Sequence, residues 1–317
     1  MRELVLVQMS SMRDALGEAL LELGAKDPRI VVLGADTSVS IKTSLFADRY
    51  PDRFFNVGIA EANMIGIAAG LALAGKIPYV STYSAFVPGK CLDQIRNAIA
   101  YPNLEVKIVS SHGGISVGPD GASHQTVEDV AAMRAIPHMR VVVPADAPAT
   151  KALIEESWKI HGPFYIRLSR PSLPEVYSAS PDLKIGNATV LKEGTDVAIV
   201  ACGVMVNEAL EAGESLAREG ISAEIVDSHT LKPLDADAIV SAARKTGGIV
   251  TAEEQNIIGG LGSAIAEVVS GSYPVPISMV GVRDTFGESG EYKELMAKYG
   301  LTSKDIVRAA KKLVAAR

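Results

Sequence analysis

The chain has 317 residues, of which 48% are hydrophobic and 21% are charged. A chain of this length can form two domains with separate hydrophobic cores, and the composition is that of an ordinary globular protein, so a small binding module or a disordered chain is not expected. The formal net charge is −6, and basic runs do not extend beyond pairs such as Lys311 and Lys312. This acidic balance argues against a nucleic-acid-binding protein.

Cysteine usage and hydropathy bear on the location of the protein. Cys91 and Cys202 lie far apart in the sequence, which indicates neither a disulfide framework nor a cysteine metal site. No apolar run approaches the roughly 18 to 20 residues that a membrane span needs, and the first twelve residues lack the pattern of a signal peptide. We therefore expect a cytoplasmic protein without a membrane partner.

Short β-branched runs alternate with helical stretches along the first half of the chain. Near-continuous apolar strands of this kind are typical of a parallel sheet covered on both faces, and the alternation is that of a doubly wound domain. Strands are predicted at residues 30–33, 79–82, 106–110, 140–143 and 164–168, and helices at residues 12–23, 60–74, 91–100 and 147–159.

A second alternation follows residues 171–187, which are rich in proline and serine and have no clear period. This segment is the best linker candidate. The sequence thus predicts an α/β protein with two doubly wound domains, residues 1–178 and 188–317, and a boundary near residue 180. Further strands are predicted at residues 197–201, 222–227, 248–252 and 276–282, and further helices at residues 207–219, 235–245 and 262–270.

One carboxylate, Glu61, opens a predicted helix that is otherwise almost wholly apolar. Such an acid can simply favour the positive end of the helix dipole, which contributes about 0.3 to 1 kcal/mol at an exposed site. Gly66 and Gly70 on one face, however, suggest tight packing against another helix and hence a partly buried Glu61. Because a buried carboxyl group is suited to share a proton with a ring nitrogen, Glu61 is predicted to be functional.

Two aromatic residues, Tyr83 and Phe86, stand three positions apart at the end of a predicted strand. Aromatic residues make up only 5% of the chain, so two at one strand end are notable. They could line a flat pocket for a heteroaromatic ring. Packing in the hydrophobic core is the alternative.

Residues 111–125 hold two of the five histidines and four glycines. Glycines permit sharp turns and a close approach of the backbone to a ligand. His112 and His124 supply neutral donors and acceptors, and Asp120 supplies a carboxylate that could orient a hydroxyl group. A metal site is the competing interpretation, but the spacing matches no standard zinc pattern.

Two arginines are candidates for binding an anion. The planar guanidinium donates two parallel hydrogen bonds to phosphate. Arg170 follows a predicted strand, at the carboxyl end where open α/β sheets bind ligands. Arg13, early in the first helix, is interpreted as structural from its position alone.

The second domain offers fewer candidates. Residues 259–262, Gly-Gly-Leu-Gly, open a predicted helix but belong to no dinucleotide fingerprint. Glu253, Glu254 and His229 could form an interface or a solvated face. This domain is therefore predicted to serve assembly.

Taken in their order along the sequence, these candidate segments resemble the pyrimidine-binding and C-terminal domains of transketolase. The resemblance extends along essentially the whole chain. Glu61, in the step Gly-Ile-Ala-Glu, matches the family's catalytic glutamate, which hydrogen-bonds N1′ of the aminopyrimidine of thiamine diphosphate. Tyr83 and Phe86 fall where the family stacks aromatic rings around that pyrimidine, and Asp36 matches a position beside the cofactor. A third aromatic residue of many members is Gly89 here.

The same resemblance implies a set of substrate contacts, with His112 and His124 joining Glu61 as catalytic residues. Departures from the family pattern at Pro119, Ala122 and Ser123 leave the substrate preference open. The positions that match family contacts to the sugar and its phosphate are Arg13, Ser40, His112, Asp120, His124 and Arg170.

The family holds Mg²⁺ and the diphosphate through Gly-Asp-Gly followed by Asn, and this sequence contains no Gly-Asp-Gly. The resemblance thus implies a C-terminal subunit that acts with a separate diphosphate-binding subunit in an α2β2 assembly. That partner subunit would provide most of the contacts to Mg²⁺. The implied activity is the transfer of a two-carbon ketol unit from a ketose phosphate to an aldose phosphate, as in the pentose phosphate pathway.

Four alternatives stay open at this point. The chain could be the β subunit of a 2-oxo acid dehydrogenase E1 component, although such a substrate has no phosphate for the arginines to bind. It could resemble 1-deoxyxylulose-5-phosphate synthase, which is normally one chain. It could be a specialised transketolase for an unusual sugar phosphate, or a non-catalytic subunit that retains the fold.

Overall fold

The computed structural model describes residues 8–316. The strands are β1 Met9–Ser10, β2 Ile30–Gly34, β3 Phe54–Asn56, β4 Ile77–Ser81, β5 Lys107–Ser110, β6 Arg140–Val142, β7 Phe164–Arg167, β8 Leu173–Pro174, β9 Thr189–Lys192, β10 Val197–Ala201, β11 Ala223–Asp227, β12 Thr230–Lys232, β13 Ile249–Asn256 and β14 Ile277–Val282. The helices are α1 Met12–Lys26, α2 Ser38–Ile41, α3 Ser44–Arg49, α4 Glu61–Leu73, α5 Val87–Gln94, α6 Asp129–Ala135, α7 Ala147–Trp158, α8 Met205–Arg218, α9 Ala236–Thr246, α10 Leu261–Ser272, α11 Tyr292–Lys298 and α12 Ser303–Ala315.

Two mostly parallel sheets organise the chain. The first has the strand order β12-β6-β7-β5-β4-β2-β3, and the second has the order β14-β13-β10-β11-β9. Each sheet carries one antiparallel edge strand, β12 in the first and β9 in the second. The predicted fold class, two doubly wound α/β domains, is confirmed.

The central strands are buried because helices cover both faces of each sheet. Consecutive residues of β5 show this, since Ile108 and Val109 are both nearly inaccessible and belong to two different hydrophobic cores. Helices α1 and α7 pack together on one side of the first sheet, while α4 and α5 lie on the other. The near-continuous apolar runs of the sequence follow from this double burial.

The predicted elements agree closely with these bounds. The helix predicted at residues 60–74 is α4, and the helix predicted at 91–100 is the end of α5 followed by a π-helical turn at Ile95–Ala100.

Within residues 8–316, no helix is both long and apolar enough to cross a membrane. The division at residues 178 and 188 stays a prediction, and β12, from the C-terminal half, pairs with β6 of the first sheet.

Two interpretations of the sequence were wrong. Of the two alternatives for Glu253, Glu254 and His229, the solvated face is wrong, because all three side chains are at most 1% exposed. Gly66 and Gly70 do not pack against another helix of the chain, because a Cβ atom built on either glycine meets nothing within 4 Å. Glu61 is nevertheless buried, at 3% exposure, through other contacts.

The predicted linker is held to both halves of the chain by carboxylates. Asp146 Oδ2 accepts hydrogen bonds from the backbone N–H groups of Val176 and Tyr177, at 2.6 and 2.8 Å. The Tyr177 hydroxyl donates to Asp227, at the end of β11, at 2.7 Å. Burial raises the pKa of Asp227 to about 7, although the Tyr177 hydrogen bond opposes this shift.

A substitution of Asp227 tests this buried acid. A carboxyl group whose pKa is raised in the folded state stabilises the fold most when it is protonated. As the pH rises from about 4 to about 7, the free energy of unfolding therefore falls by up to about 4 kcal/mol. The asparagine of Asp227→Asn cannot ionise. The melting temperature of the variant minus that of the wild type, measured by calorimetry, should therefore rise from pH 4.5 to pH 7.5. A difference that does not change with pH would contradict the assignment.

Candidate active site

The predicted site residues follow the ends of neighbouring strands. Strands β7, β5, β4, β2 and β3 are consecutive and parallel, so their carboxyl ends meet at one edge, where open α/β sheets bind ligands. Arg170 follows β7, while His112, Asp120 and His124 follow β5, Tyr83 and Phe86 follow β4, Asp36 and Ser40 follow β2, and Glu61 follows β3. Arg13 reaches this edge from the first turn of α1.

A polar cluster surrounds His112. Its ring lies against that of Tyr83, with centroids 4.1 Å apart, and its Nδ1 lies 3.1 Å from the Ser111 hydroxyl oxygen. The Tyr83 hydroxyl donates to Ser40 Oγ at 2.9 Å, and Arg13 Nη1 donates to the Ser40 carbonyl at 2.9 Å. Four separate segments of the sequence therefore converge on one site.

The second predicted histidine, His124, belongs to the same cluster. Its ring stands edge-on to Phe86 and Tyr83, with centroid distances of 5.2 and 6.0 Å. Its Nδ1 lies 2.9 Å from the Ser123 hydroxyl oxygen. The aromatic pair predicted from the sequence thus borders the two histidines.

Arg170 and Asp120 lie at the more open side of the site. Arg170 Nη1 donates to the carbonyl of Val117 at 3.2 Å, and its Nε lies 4.0 Å from Asp120 Oδ2. Arg170 is half-buried and Asp120 is exposed. Both keep polar atoms available to a ligand.

Glu61 is the first residue of α4, and its side chain is buried. Lys90 Nζ lies 3.2 Å from Glu61 Oε2 and 4.4 Å from the centre of the Phe86 ring. The lysine therefore links the carboxylate to the aromatic pair. Lys90 was not predicted from the sequence, although its position one helical turn after Phe86 could have suggested the contact.

Asp36 is tied to the segment that leads into α4. Its backbone N–H donates to Asn56 Oδ1 at 3.0 Å, and Asn56 Nδ2 donates back to Asp36 Oδ1 at 3.3 Å. Asp36 and His112 both have positive φ angles, +61° and +62°. Such a conformation is sparsely populated for non-glycine residues and is common at ligand sites.

The electrostatic surroundings keep His112 neutral. Burial lowers the pKa of His112 to about 3, and the positive charges of Arg13 and Arg170, together with His124, act in the same direction. A neutral imidazole has one donor and one acceptor nitrogen. His112 is thus suited to hydrogen-bond a hydroxyl or phosphate oxygen without competing for a proton.

The site residues predicted from the sequence lie together, in an arrangement that suits organic and anionic ligands. Among residues 8–316, no group of three or more histidine, cysteine, aspartate and glutamate side chains is arranged to hold a metal ion. A carboxylate beside aromatic rings suits a heteroaromatic ligand, and arginine side chains suit an anion.

The neutrality of His112 can be measured directly. Imidazole nitrogen resonances of the protein should show no titration of His112 between pH 5 and pH 8, because its pKa lies far below this range. His112→Asn assigns the signal by its disappearance. A His112 midpoint above pH 5 would show that burial and the neighbouring arginine charges do not control this residue.

Comparisons with known proteins identify the family of the chain. Residues 8–176 match the transketolase pyrimidine-binding domain, and residues 186–306 match the transketolase C-terminal domain. The chain is 46% identical, over 94% of its length and 93% of the relative, to a 6-deoxy-6-sulfo-D-fructose transketolase subunit of Clostridium sp. (strain MSTE9). It is 36% identical, over 96% of its length and 98% of the relative, to one subunit of the apulose-4-phosphate transketolase of Phocaeicola vulgatus.

A solved structure resembles the whole chain. It is a split gene transketolase in the form of an inactive beta4 tetramer, and it superposes with a TM-score of 0.89 and 52% identity over 96% of this chain and 98% of that chain. Both domain matches and the matching length of the related subunits lead to one assignment. The chain belongs to the transketolase family of transferases, as the C-terminal subunit of a transketolase divided between two chains.

Proposed function

We propose that this subunit provides the pyrimidine-binding half of a thiamine-diphosphate-dependent site and transfers a two-carbon ketol unit from a ketose phosphate to an aldose phosphate. The observation that supports this most is the buried Glu61 carboxylate, which is linked through Lys90 to the Phe86 ring. A cytoplasmic location is part of the same proposal.

The residues present fit the pyrimidine end of the cofactor. An aminopyrimidine needs a flat aromatic surface and a carboxylate near a ring nitrogen, and Phe86, Tyr83 and Glu61 supply these groups. The sequence has no Gly-Asp-Gly for the diphosphate and Mg²⁺. We therefore assign those groups to a partner subunit.

Glu61 would hold a proton shared with N1′ of the aminopyrimidine, and its buried position excludes water from that hydrogen bond. Bound thiamine diphosphate would supply the nucleophile that accepts the two-carbon unit. Asp36, fixed by Asn56, would border the cofactor near the start of α4. His112 would hydrogen-bond the phosphate of the acceptor sugar, and His124 would hydrogen-bond the carbonyl region of the donor.

The substrate end of the site is basic. Arg13 and Arg170 both lower the pKa of His112 through their positive charges, which supports a basic environment around that histidine. A doubly charged phosphate suits such a pair. Asp120 would accept a hydrogen bond from a sugar hydroxyl group, and Ser40 would provide a further contact to the phosphate.

The identity of the sugar is a separate question. The related subunits act on 6-deoxy-6-sulfo-D-fructose and on apulose 4-phosphate, as their names state. Sulfonate and phosphate are both tetrahedral anions that guanidinium groups can bind. A panel of donors for this enzyme should therefore include phosphorylated, sulfonated and branched sugars.

An exposed apolar face on α4 supports assembly through a second copy of this chain. Gly66 and Gly70 point outward, and Ile59 and Leu73 are 78% and 74% exposed. Glycines on a helix surface allow close approach of another helix, and exposed apolar patches mark interaction sites. We propose that this face joins two copies in an α2β2 assembly. The beta4 tetramer named for the related structure supports only the self-association of such subunits.

The function is tested by reconstitution with a Gly-Asp-Gly-containing partner subunit. We expect two-carbon transfer from a ketose phosphate to an aldose phosphate that depends on thiamine diphosphate and Mg²⁺. Glu61→Gln should lower kcat by about 100-fold or more, because the amide cannot share the proton. Asp93→Asn, which replaces an exposed acid of the neighbouring helix α5, is the matched control and should retain activity.

Two outcomes would contradict the proposal. Full turnover by Glu61→Gln would exclude the assigned proton role. Oxidative decarboxylation of pyruvate without any transfer between sugars would instead favour the 2-oxo acid dehydrogenase subunit.

The assembly is tested by placing a charge on the apolar face. Gly70→Arg should abolish self-association in sedimentation velocity while leaving the circular dichroism spectrum unchanged, because the side chain has open space in one copy but would be buried between two. Gly271→Arg, at another open position near the end of α10, should associate like the wild type. An unchanged oligomer for Gly70→Arg would place the interface elsewhere.

A further inference from the structure

The C-terminal domain contributes one buried acid to the support of the histidine-containing loop, residues 111–125. Glu254 lies in β13 of the second sheet, and its side chain is nearly inaccessible. Its Oε2 accepts the backbone N–H of Ser116 at 3.0 Å, and its Oε1 accepts from the Ser169 hydroxyl at 3.2 Å. Glu254 thus contacts the loop and the segment that precedes Arg170.

A buried guanidinium connects Glu254 to the first sheet. Arg167, the last residue of β7, donates from Nη1 to Glu254 at 3.2 Å and from Nε to Asp129 at 2.9 Å. Burial alone would lower the pKa of Arg167, but the charges of Asp129 and Glu254 outweigh it and raise that pKa. The three side chains form an ion network beneath the loop.

The loop backbone lies directly on this network. A Cβ atom at Gly113 would stand 2.5 Å from Arg167 Nε, and one at Gly114 would stand 2.5 Å from Glu254 Oε2. Gly114 also has a φ angle of +82°, which other residues rarely adopt. The position of His112, just before these glycines, therefore depends on where Arg167 and Glu254 lie.

A second contact from the same domain supports the other end of the loop. Gln125 Nε2 donates to the carbonyls of Gly118 and Glu288 at 3.2 and 2.9 Å, which joins the loop to the segment before α11. Gly121 packs so closely against Ser289 that an added Cβ would lie 2.4 Å from its Oγ. The C-terminal domain thus contacts the loop on both sides of Asp120.

We propose that Glu254 is a positioning residue for the histidine-containing loop. Through Glu254 the C-terminal domain sets the position of His112, although Glu254 itself does not contact the substrate. This inference rests on the proposed function, since it assumes that the loop binds the sugar phosphate. It adds a second role to the prediction that this domain serves assembly.

The neighbouring acid shows that burial by itself does not create this role. Successive side chains of a strand point to opposite faces, and Glu253 accepts the backbone N–H groups of Leu261 and Gly262 at 2.7 and 2.9 Å, at the start of α10. Glu253 therefore supports a helix of its own domain, while Glu254 supports the loop. The pair provides a matched test.

The test compares Glu254→Gln with Glu253→Gln in the reconstituted complex. For Glu254→Gln we expect the KM of the aldose phosphate acceptor to rise on the order of tenfold, while kcat, thiamine diphosphate affinity and the KM of an unphosphorylated aldose stay near wild type. Glu253→Gln should lower the melting temperature without changing the ratio of the two KM values. Equal ratios for both variants would overturn the proposal.

Hydrogen exchange separates this inference from the proposed function. Peptides that cover residues 111–125 should exchange faster in Glu254→Gln than in Glu253→Gln, whatever reaction the complex catalyses. Unaltered exchange would overturn the positioning role even if the transferase activity is found. If the complex has no transferase activity, faster exchange still supports the positioning of the loop.

A second variant covers the case in which Glu254→Gln does not fold. Gly114→Ala disturbs the same contact from the side of the loop, since its Cβ would meet the Glu254 carboxylate. It should show the same phosphate-dependent rise in KM. An unchanged KM for the aldose phosphate in a folded Gly114→Ala protein would overturn the proposal.

Discussion

The buried guanidinium of Arg167 is the interaction on which the site depends. It ends β7 at the edge where the ligand site forms, and it joins α6, through Asp129, to β13 of the second sheet, through Glu254. Tyr165 adds a hydrogen bond of 2.6 Å from its hydroxyl to Asp129. Breaking a buried pair of this kind leaves an uncompensated charge, at a cost of about 3 to 5 kcal/mol. The network therefore connects the two sheets and the loop through costly contacts.

The arrangement of the first sheet supports the proposal that this chain carries half of a site. The parallel strands bring donors, acceptors and aromatic rings from five loops to one edge, without the diphosphate motif that would complete it. Glu61 opens the same helix that exposes Gly66 and Gly70, so the carboxylate lies close to the surface proposed for assembly. Formation of the oligomer and enclosure of the cofactor would then be coupled through a single helix.

The sequence was sufficient to predict which candidate site residues lie at strand ends, while their roles in binding stay predictions. Asp36, Tyr83, His112 and Arg170 each follow an apolar run, and the carboxyl ends of parallel strands meet by topology alone. Arg13 was different, because its role depends on α1 lying beside Ser40, 27 positions later. No local pattern encodes that contact.

Long-range pairing was the main source of error. Glutamate is rarely buried unless it is paired, so Glu253 and Glu254 were interpreted as part of an interface or a solvated face. The partner of Glu254 in the loop, Ser116, lies 138 positions away in the sequence. Gly66 and Gly70 were predicted to pack against another helix, but the chain itself leaves both glycines open.

The proposal that this chain holds only the pyrimidine half of the site is tested most directly by calorimetric titration. Thiamine diphosphate is titrated in the presence of Mg²⁺. We expect no tight binding to this chain alone and tight binding to the same concentration of chain mixed with its diphosphate-binding partner. Tight binding to the chain alone would contradict the account, because the cofactor would then not need a second subunit.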